Sequence, residues 1–486
     1  MKLLSIKKNE WLVFGLMFLI VCLINVNFSV LRSMRNALVV AGEGGSSAFI
    51  PYFELFGTFP ASILLTWGLS RLMRFFSFRF IFSTMMLGFL AFFVIFAFWI
   101  YPQKEQIQTL IEAKLGLLFG LDRFKVIFTR WPDMVFYIMS ELWKVALLSV
   151  IFWGFINQNL SLDKAKRFYP SLMLGSSIGA ILAGPVTVFC TSQFSWTNFS
   201  LSSLHWQHSL NLLTIFLVTC GLVTLFAFRY LFSRLDGNDF VNATSEKKEK
   251  KNFSKHLLSL RSSLSFLIRS PYLSAILLIV VAEYISYALG ELIFLNTLKQ
   301  SFPTRSGYCQ YMGTLSLWTG VLTAFSALIL TPFCLQKFRW STCAFITPIL
   351  MVIMTFAFFF IIYLGRLGTI PTSSYLALAT AFGSMHFCFG RSIKYTFFDA
   401  TKELAFVPLD QEAQVKGKLI IDGIGSRLGR GSSSLLSIVL FFLMGGVGES
   451  AIFAGIIALG FAIISLPAAK YLGIEFEKKA PTTAKA

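Results

Sequence analysis

The stretch Trp11–Val30, WLVFGLMFLIVCLINVNFSV, is twenty residues long and contains no charged side chain. A helix of about 20 mostly apolar residues is long enough to cross the hydrocarbon core of a bilayer, which is roughly 30 Å thick. Lys7 and Lys8 precede the stretch, and no small-residue cleavage site follows before the next element. We therefore expect a retained membrane-spanning helix here and not a removed signal peptide.

The composition extends this membrane signature to the whole chain. Of 486 residues, 56% are hydrophobic, 13% are charged and 55 are Phe. Soluble domains average about 25% charged residues, so the composition predicts an all-α polytopic membrane protein. The formal net charge of +19 does not indicate a nucleic-acid partner, because the basic residues lie in short loops, where they orient a membrane protein. The seven cysteines show no CxxC spacing, which favours neither a metal site nor a disulfide framework.

Further apolar runs follow the first one and predict about twelve transmembrane helices, the number found in many secondary transporters. Their expected bounds are Ile50–Leu69, Ile81–Tyr101, Met134–Ile156, Leu172–Cys190, Leu210–Phe232, Tyr272–Phe294, Met312–Leu335, Cys343–Leu364, Ser374–Phe389, Ile420–Gly445 and Ala451–Tyr471. The connection Gln103–Asp133 is longer and mixed in charge. We expect an outer loop with a short amphipathic helix there.

The distribution of basic residues predicts the orientation of the chain and divides it in two. Lys and Arg concentrate in alternate connections, starting with the N-terminal segment, so both termini are expected in the cytoplasm. The longest basic connection lies near the middle of the chain. We therefore expect two six-helix halves, residues 1–232 and 272–472, with a cytoplasmic linker at 233–271 and a cytoplasmic tail at 473–486. No residue-level repeat between the halves is evident.

Charged residues inside the predicted spans are the candidate functional residues, because charge within a bilayer is costly and usually serves a function. Arg32 and Arg35 share one face of the first helix. They either line a cavity or extend to the interface, and we favour the cavity. Glu141 and Lys144 lie three residues apart in the fourth span, where they either neutralise each other or contact a substrate.

The seventh span carries Glu283 and Glu291 on roughly one helix face, with no cation in the span. A lone buried carboxylate stays protonated unless it has a partner. Each is therefore either paired with a group on another helix or able to bind a proton. Glu283, near mid-span, is the better candidate for proton coupling. Glu291 lies closer to the outer end, where a solvated mouth residue is the alternative.

The charged stretch Lys394–Ser434 divides into two predicted roles. Its first part is expected to form a cytoplasmic gate between helices. The residues assigned to this gate are Lys394, Asp399, Lys402, Glu403 and Asp410. In the second part, Arg427 and Arg430 precede the small-residue run Gly431–Ser434. Guanidinium groups bind phosphate oxygens bidentately, and a small-residue turn admits an anion to backbone N–H groups, so we expect phosphate contact there; extension to the interface is the alternative.

The motifs of several other protein classes are missing from the sequence. It contains no GxxxxGK[ST] phosphate loop, no HExxH, no GxSxG and no kinase signature. The four histidines have no metal-ligand spacing. We therefore expect no metal, no cofactor and no catalytic centre.

Long blocks of the sequence resemble the ATP/ADP translocases, the nucleotide transporters of obligate intracellular bacteria and plastids. The blocks are LRSMRNALVV, FIPYFELFGTFPAS, FYIMSELWKVALLSVIFWGFINQ, DKAKRFYP, YCQYMGTLSLWTGV, WSTCAFITPI, KYTFFDATKELAFVPLDQEAQVKGK and IDGIGSRLGRGSSS. They extend over nearly the whole chain and are far more specific than a short motif. The resemblance implies twelve helices in a major-facilitator-like arrangement that exchanges or imports nucleotides by alternating access.

The resemblance also carries over single functional positions. The positions that keep the charge of the family are Arg35, Glu141, Glu291 and Arg430. The sequence departs from the family pattern at Glu54, where the family has a lysine, and at Lys144 and Glu283, where the family is usually small or neutral. These departures favour a nucleotide transporter with a changed base, phosphate count or coupling.

The first hypothesis is therefore a secondary nucleotide transporter of a bacterial inner membrane, with ATP/ADP antiport as the default. Its predicted substrate-binding residues are Arg35, Glu141, Lys144, Glu291, Arg427 and Arg430. Proton-driven import of nucleoside triphosphates, or of another nucleotide such as NAD, is the alternative and is motivated by Glu283. A membrane enzyme acting on a phosphorylated substrate is a distant third. The expected partners are the nucleotide and the lipid bilayer, and we expect a monomer.

Overall fold

The computed structural model describes residues 10–104, 106, 109, 130–160, 162–192, 202–235, 270–409, 413–414, 417–418, 421 and 425–479. These residues form helices joined by short connections, and no strand occurs among them. In this part of the chain, 11 helices are long and apolar enough to cross a membrane. The predicted span Ser374–Phe389 lies in a further helix, Thr372–Ile393. The prediction of an all-α polytopic protein with about twelve spans is confirmed.

Sixteen α-helices are described. They are α1 (Trp11–Val40), α2 (Phe49–Tyr52), α3 (Phe59–Leu72), α4 (Phe78–Ile95), α5 (Trp131–Trp143), α6 (Trp153–Asn159), α7 (Leu162–Thr191), α8 (Ser202–Leu235), α9 (Pro271–Ser301), α10 (Arg305–Phe325), α11 (Thr331–Lys337), α12 (Trp340–Arg366), α13 (Thr372–Ile393), α14 (Asp399–Ala405), α15 (Ser426–Met444) and α16 (Val447–Lys479). Short π-helical segments continue several of them, namely Phe53–Thr58, Phe96–Ile100, Lys144–Phe152, Ser326–Leu330 and Lys394–Phe398. Such segments are frequent at functional sites, and two of these begin at a predicted site lysine.

The helices group into two compact units. The first contains Met1–Lys247 and Phe302–Val321, and the second contains Lys248–Ser301 and Leu322–Ala486. By this grouping, the first part of α10 belongs with the first unit.

The helix α1 is central to the first unit and packs on α5, α7 and α8. A Cβ atom on Gly179 of α7 would lie 2.7 Å from the carbonyl oxygen of Cys22. Only glycine permits so close an approach of two membrane helices. The indole N–H of Trp143 donates to the carbonyl of Ile24 at 3.1 Å, and this fully buried ring joins α5 to α1. These contacts fix the helix that carries Arg35.

The helix α9 has the corresponding place in the second unit, where it packs on α13, α15 and α16. The backbone of Gly290 lies against the ring of His386 on α13, and an added Cβ atom would overlap that ring. His386 is fully buried and stacks on Tyr287 of α9, with ring centroids 5.8 Å apart and planes inclined by 9°. A Cβ atom on Gly390 would lie 2.7 Å from the ring of Tyr287. Two glycines thus bring α9 and α13 together.

The first unit contains a buried ion pair between Lys104 and Asp133. The Nζ atom of Lys104 lies 2.6 and 2.7 Å from the two carboxylate oxygens of Asp133, and Arg130 approaches the same carboxylate at 3.6 Å. Both Lys104 and Asp133 are less than a tenth exposed. Burial lowers the pKa of Lys104, and the carboxylate of Asp133 opposes that shift.

This cluster changes how the connection between the third and fourth spans is understood. The sequence predicts an outer loop with a short amphipathic helix across Gln103–Asp133. Residues 105, 107, 108 and 110–129 of this connection lie outside the described residues. The two ends of the connection do not form an exposed loop as predicted. Lys104 and Asp133, one near each end, are buried and paired with each other.

We expect Gly290→Ala to destabilise the protein by about 1–3 kcal/mol, because the ring of His386 must leave its place on α9. Thermal unfolding of the purified protein in detergent measures this loss. The matched control is Gly460→Ala on α16, where nothing lies within 4 Å of an added Cβ atom. Alanine is the better helix former by about 1 kcal/mol, so the control should keep or raise the stability. Equal stability of the two variants would contradict the packing of α9 on His386.

We expect Asp133→Asn to cost about 3–5 kcal/mol of stability, because it leaves the buried charge of Lys104 without its counter-ion. The control is Glu403→Gln, which removes an exposed carboxylate that pairs with the exposed Lys418. An exposed pair of this kind contributes less than about 1 kcal/mol. The same unfolding assay compares the two, and a loss in Asp133→Asn no larger than in the control would be inconsistent with the buried pair.

Candidate functional site

The helices α1 and α5 bring a buried arginine against a carboxylate in the first unit. Arg35 is 4% exposed, and its Nη1 atom forms an ion pair with Oε1 of Glu141. Its guanidinium also lies over the ring of Tyr137, 4.6 Å from the centroid. Tyr137 and Glu141 lie four residues apart on α5, which places them on one face. One face of α5 therefore offers the arginine both an aromatic ring and a negative charge.

A second carboxylate belongs to the same group. The hydroxyl of Tyr137 donates to Oε1 of Glu54 at 3.1 Å. The buried Nε atom of Arg35, by contrast, has no hydrogen-bond partner among the described residues. The Nε–H group of Arg35 can therefore donate a hydrogen bond to an oxygen atom of a ligand.

Two more cations lie at an aromatic ring of the same helix. The Cζ atom of Arg32 lies 5.2 Å, and the Nζ atom of Lys144 lies 5.0 Å, from the ring centroid of Phe28. Phe28 of α1 thus contacts one cation from its own helix and one from the π-helical segment that follows α5. The sequence left open whether Glu141 neutralises Lys144, and in the structure Glu141 pairs with the arginine of α1.

A comparable cluster in the second unit is centred on Arg391 of α13, which is 9% exposed. Its Nη2 atom lies 3.0 Å from Oε1 of Glu291, and its Nε–H donates to the hydroxyl of Tyr287 at 2.7 Å. Its Cζ atom lies 4.7 Å from the ring centroid of Phe387. Glu291 thus has a cationic partner on another helix, one of the alternatives that the sequence left open.

Arg391 is the functional candidate that sequence reasoning missed. It follows the predicted end of the tenth span at Phe389 and precedes the charged stretch that begins at Lys394, so it was assigned to neither. The helix does not end at Phe389. It continues through Ile393 and the π-helical segment Lys394–Phe398, which keeps Arg391 inside the helical unit.

The aromatic ring of Tyr284 on α9 connects two predicted site residues. The Nζ atom of Lys394 lies 3.2 Å from its centroid, and the Cζ atom of Arg430 lies 5.8 Å from it. A Cβ atom on Gly429 would lie 2.6 Å from Cβ of Tyr284, so α15 approaches α9 closely beside Arg430. Arg430 and Arg427 are both exposed, whereas Lys394 is buried. Lys394, predicted as a gate residue, therefore lies beside the predicted phosphate ligand Arg430.

Glu283 is a deeply buried carboxylate on α9. It is 4% exposed, and its Oε1 atom has no hydrogen-bond partner among the residues that the structure describes. The positive charge of Lys394 acts on it through space. This environment is what a proton-binding carboxylate requires.

The other predicted gate residues form local pairs. Asp399 and Lys402 interact at 3.5 Å within α14, and Glu403 pairs with Lys418. Asp410 lies outside the described residues. No group of three or more His, Cys, Asp or Glu side chains in the described part of the chain is arranged to hold a metal ion. The gate stays a prediction.

Solved structures identify the fold. The D-xylose-proton symporter aligns with a TM-score of 0.60 at 14% identity, covering 95% of this chain and 97% of the symporter. A proton:xylose symporter of the major facilitator superfamily aligns with a TM-score of 0.54 at 13% identity, covering 94% and 96%. At such identities the likeness concerns the fold alone, and it confirms the major-facilitator-like prediction.

Sequence relatives identify the family. The family model "TLC ATP/ADP transporter" matches residues 1–476. The ADP,ATP carrier protein 1 of Chlamydia trachomatis serovar D is 32% identical over 94% of this chain and 87% of its own length. The chloroplastic ADP,ATP carrier protein 2 of Arabidopsis thaliana is 32% identical over 95% of this chain and 74% of its own. With buried Arg–Glu pairs inside a major-facilitator fold and this similarity along nearly its whole length, the chain belongs to the TLC ATP/ADP transporter family.

Proposed function

We propose that the protein exchanges ATP for ADP across a bacterial inner membrane by alternating access. The observation that carries the proposal is the buried guanidinium of Arg35, which pairs with Glu141 and keeps an Nε–H donor without a partner among the described residues. A charged group inside membrane helices is costly and usually marks the path or the binding site of a substrate. The relatives named as ADP,ATP carriers support a nucleotide as that substrate.

The phosphates of the nucleotide are the groups that the cations of the site fit. Guanidinium forks bind phosphate oxygens in pairs and with fixed geometry. We assign phosphate binding to Arg35, Lys144 and Arg430, with Arg427 as an exposed neighbour. Glu141 and Glu291 set the charge and orientation of the arginines.

The orientation and assembly belong to the same proposal. The alternation of basic connections supports cytoplasmic termini. The carrier works as a monomer and performs no chemistry on its substrate. Asp399, Lys402 and Glu403 contribute to a cytoplasmic gate.

In proteoliposomes, we expect uptake of labelled ATP to require ADP inside the vesicles. The rate of this uptake should not depend on a pH gradient across the membrane. Arg35→Gln should lower kcat/KM about 100-fold or more, because it removes a buried charge-assisted contact to phosphate. The matched control is Arg71→Gln, which removes an exposed arginine at the end of α3 and should leave exchange unchanged. Exchange that survives Arg35→Gln at the wild-type rate would refute the assignment of Arg35.

Proton-driven import is the second candidate, and the buried, incompletely hydrogen-bonded carboxylate of Glu283 favours it. In this case an inward proton gradient should drive net ATP uptake into vesicles without internal nucleotide. Glu283→Gln should abolish the effect of the gradient and leave ATP/ADP exchange measurable. If wild-type uptake depends on internal ADP and is the same with and without the gradient, proton coupling is excluded.

A further inference from the structure

The two units share an arrangement that the sequence did not reveal as a repeat. On α5 the segment YIMSE, and on α9 the segment YALGE, places a tyrosine four residues before a glutamate. This spacing puts both side chains on one helix face. In each unit the pair contacts one arginine from a different helix. The two triads are Tyr137, Glu141 and Arg35 in the first unit and Tyr287, Glu291 and Arg391 in the second.

Within each triad the tyrosine and the glutamate act on the guanidinium in different ways. Tyr137 supports Arg35 from the ring face, at 4.6 Å, and Tyr287 accepts a hydrogen bond from Nε of Arg391 at 2.7 Å. In both triads the glutamate carboxylate forms an ion pair with a terminal nitrogen of the guanidinium. The tyrosine therefore fixes the position of the arginine, and the glutamate balances its charge.

The carboxylates lie on the more open side of each pair. The side chain of Glu141 is 14% exposed against 5% for Arg35, and that of Glu291 is 22% exposed against 10% for Arg391. In each pair the arginine is therefore the more enclosed group and the carboxylate the more accessible one. Since a guanidinium binds carboxylate and phosphate oxygens with the same planar fork, a phosphate can take the place of the carboxylate without moving the arginine.

We propose that Arg391 is a second phosphate-binding residue, and that Glu141 and Glu291 occupy Arg35 and Arg391 until a nucleotide phosphate displaces them. This inference rests on the proposed function. It adds Arg391 to the site, and it makes the two carboxylates competitors of the substrate. Loss of an arginine then weakens nucleotide binding, whereas loss of a carboxylate strengthens it and slows release.

The first test is Arg391→Gln, with binding of labelled ATP to the purified carrier and competition by unlabelled adenosine. We expect the affinity for ATP to fall by about tenfold or more, and that for adenosine to change little, because adenosine has no phosphate. The matched control, Arg366→Gln, removes an exposed arginine of the same unit at the end of α12. It should change neither affinity.

The second test is Glu291→Gln, which keeps the shape of the side chain and removes the competing charge. We expect ATP to bind about tenfold more tightly and the kcat of exchange to fall. The double variant Arg391→Gln, Glu291→Gln should bind ATP like Arg391→Gln alone, because the carboxylate acts through the arginine. If Arg391→Gln does not fold, Glu291→Gln and Tyr287→Phe, which removes only the hydroxyl that accepts from Arg391, decide the question.

The outcomes separate this inference from the proposed function. A wild-type carrier that neither binds nor exchanges ATP and ADP would overturn the proposed function. A wild-type carrier that exchanges them, together with an equal loss of ATP and adenosine affinity in Arg391→Gln, would overturn the role of Arg391 alone. Weaker ATP binding in Glu291→Gln would show that the carboxylate supports the substrate instead of competing with it.

Discussion

A guanidinium held within membrane helices needs a counter-charge, and this constraint governs both units of the carrier. A charged side chain at the centre of a bilayer helix costs about 2.5–3.5 kcal/mol even on permissive insertion scales. Arg35 and Arg391 are each less than a tenth exposed, and each has a carboxylate from a neighbouring helix. The pairs explain why α1 must meet α5, and why α13 must meet α9, at a defined depth and rotation.

Close helix packing is what holds these pairs in place. Between membrane helices there is no aqueous hydrophobic driving force, so van der Waals contact through small residues takes its place. Gly179 lets α7 press on α1, and Gly290 and Gly390 let α9 and α13 enclose the stacked rings of Tyr287 and His386. The arginines therefore sit on rigid helices, whereas their carboxylates lie on the more open side. That division suits a site in which the cation stays and its anion is exchanged.

The sequence predicts the helices well and their side-chain partners poorly. Apolar length decides where a span lies, and charge within a span points to Arg35, Glu141 and Glu291 without any structure. The sequence does not show which residues pair with one another, because the partners are far apart along the chain and in opposite order. Arg35 precedes Glu141 by 106 positions (141 − 35), whereas Arg391 follows Glu291 by 100. This reversed order also hides the repeated Tyr–Glu–Arg triad, which is evident only once the helices are packed.

The end of the tenth span was misjudged for a local reason. Hydropathy falls after Phe389, so Lys394 was predicted in a cytoplasmic loop. The backbone nevertheless continues as a π-helical segment, Lys394–Phe398, and the lysine is buried over Tyr284. A polar residue that completes an internal cluster ends the apolar pattern without ending the helix. Sequence patterns cannot separate the two cases, because both read as the loss of hydrophobic periodicity.

The buried Arg–Glu pairs bear on how transport is coupled. In the carrier without substrate, Glu141 and Glu291 supply the counter-charge of Arg35 and Arg391. In the proposed mechanism a nucleotide phosphate takes over that role, so the empty and the loaded carrier differ in which anion neutralises each buried arginine. A proton on Glu283 would remove a negative charge from the second unit and so favour the more highly charged nucleotide. Exchange therefore requires that Glu283 keep its protonation state, whereas proton coupling requires that this state change during the cycle.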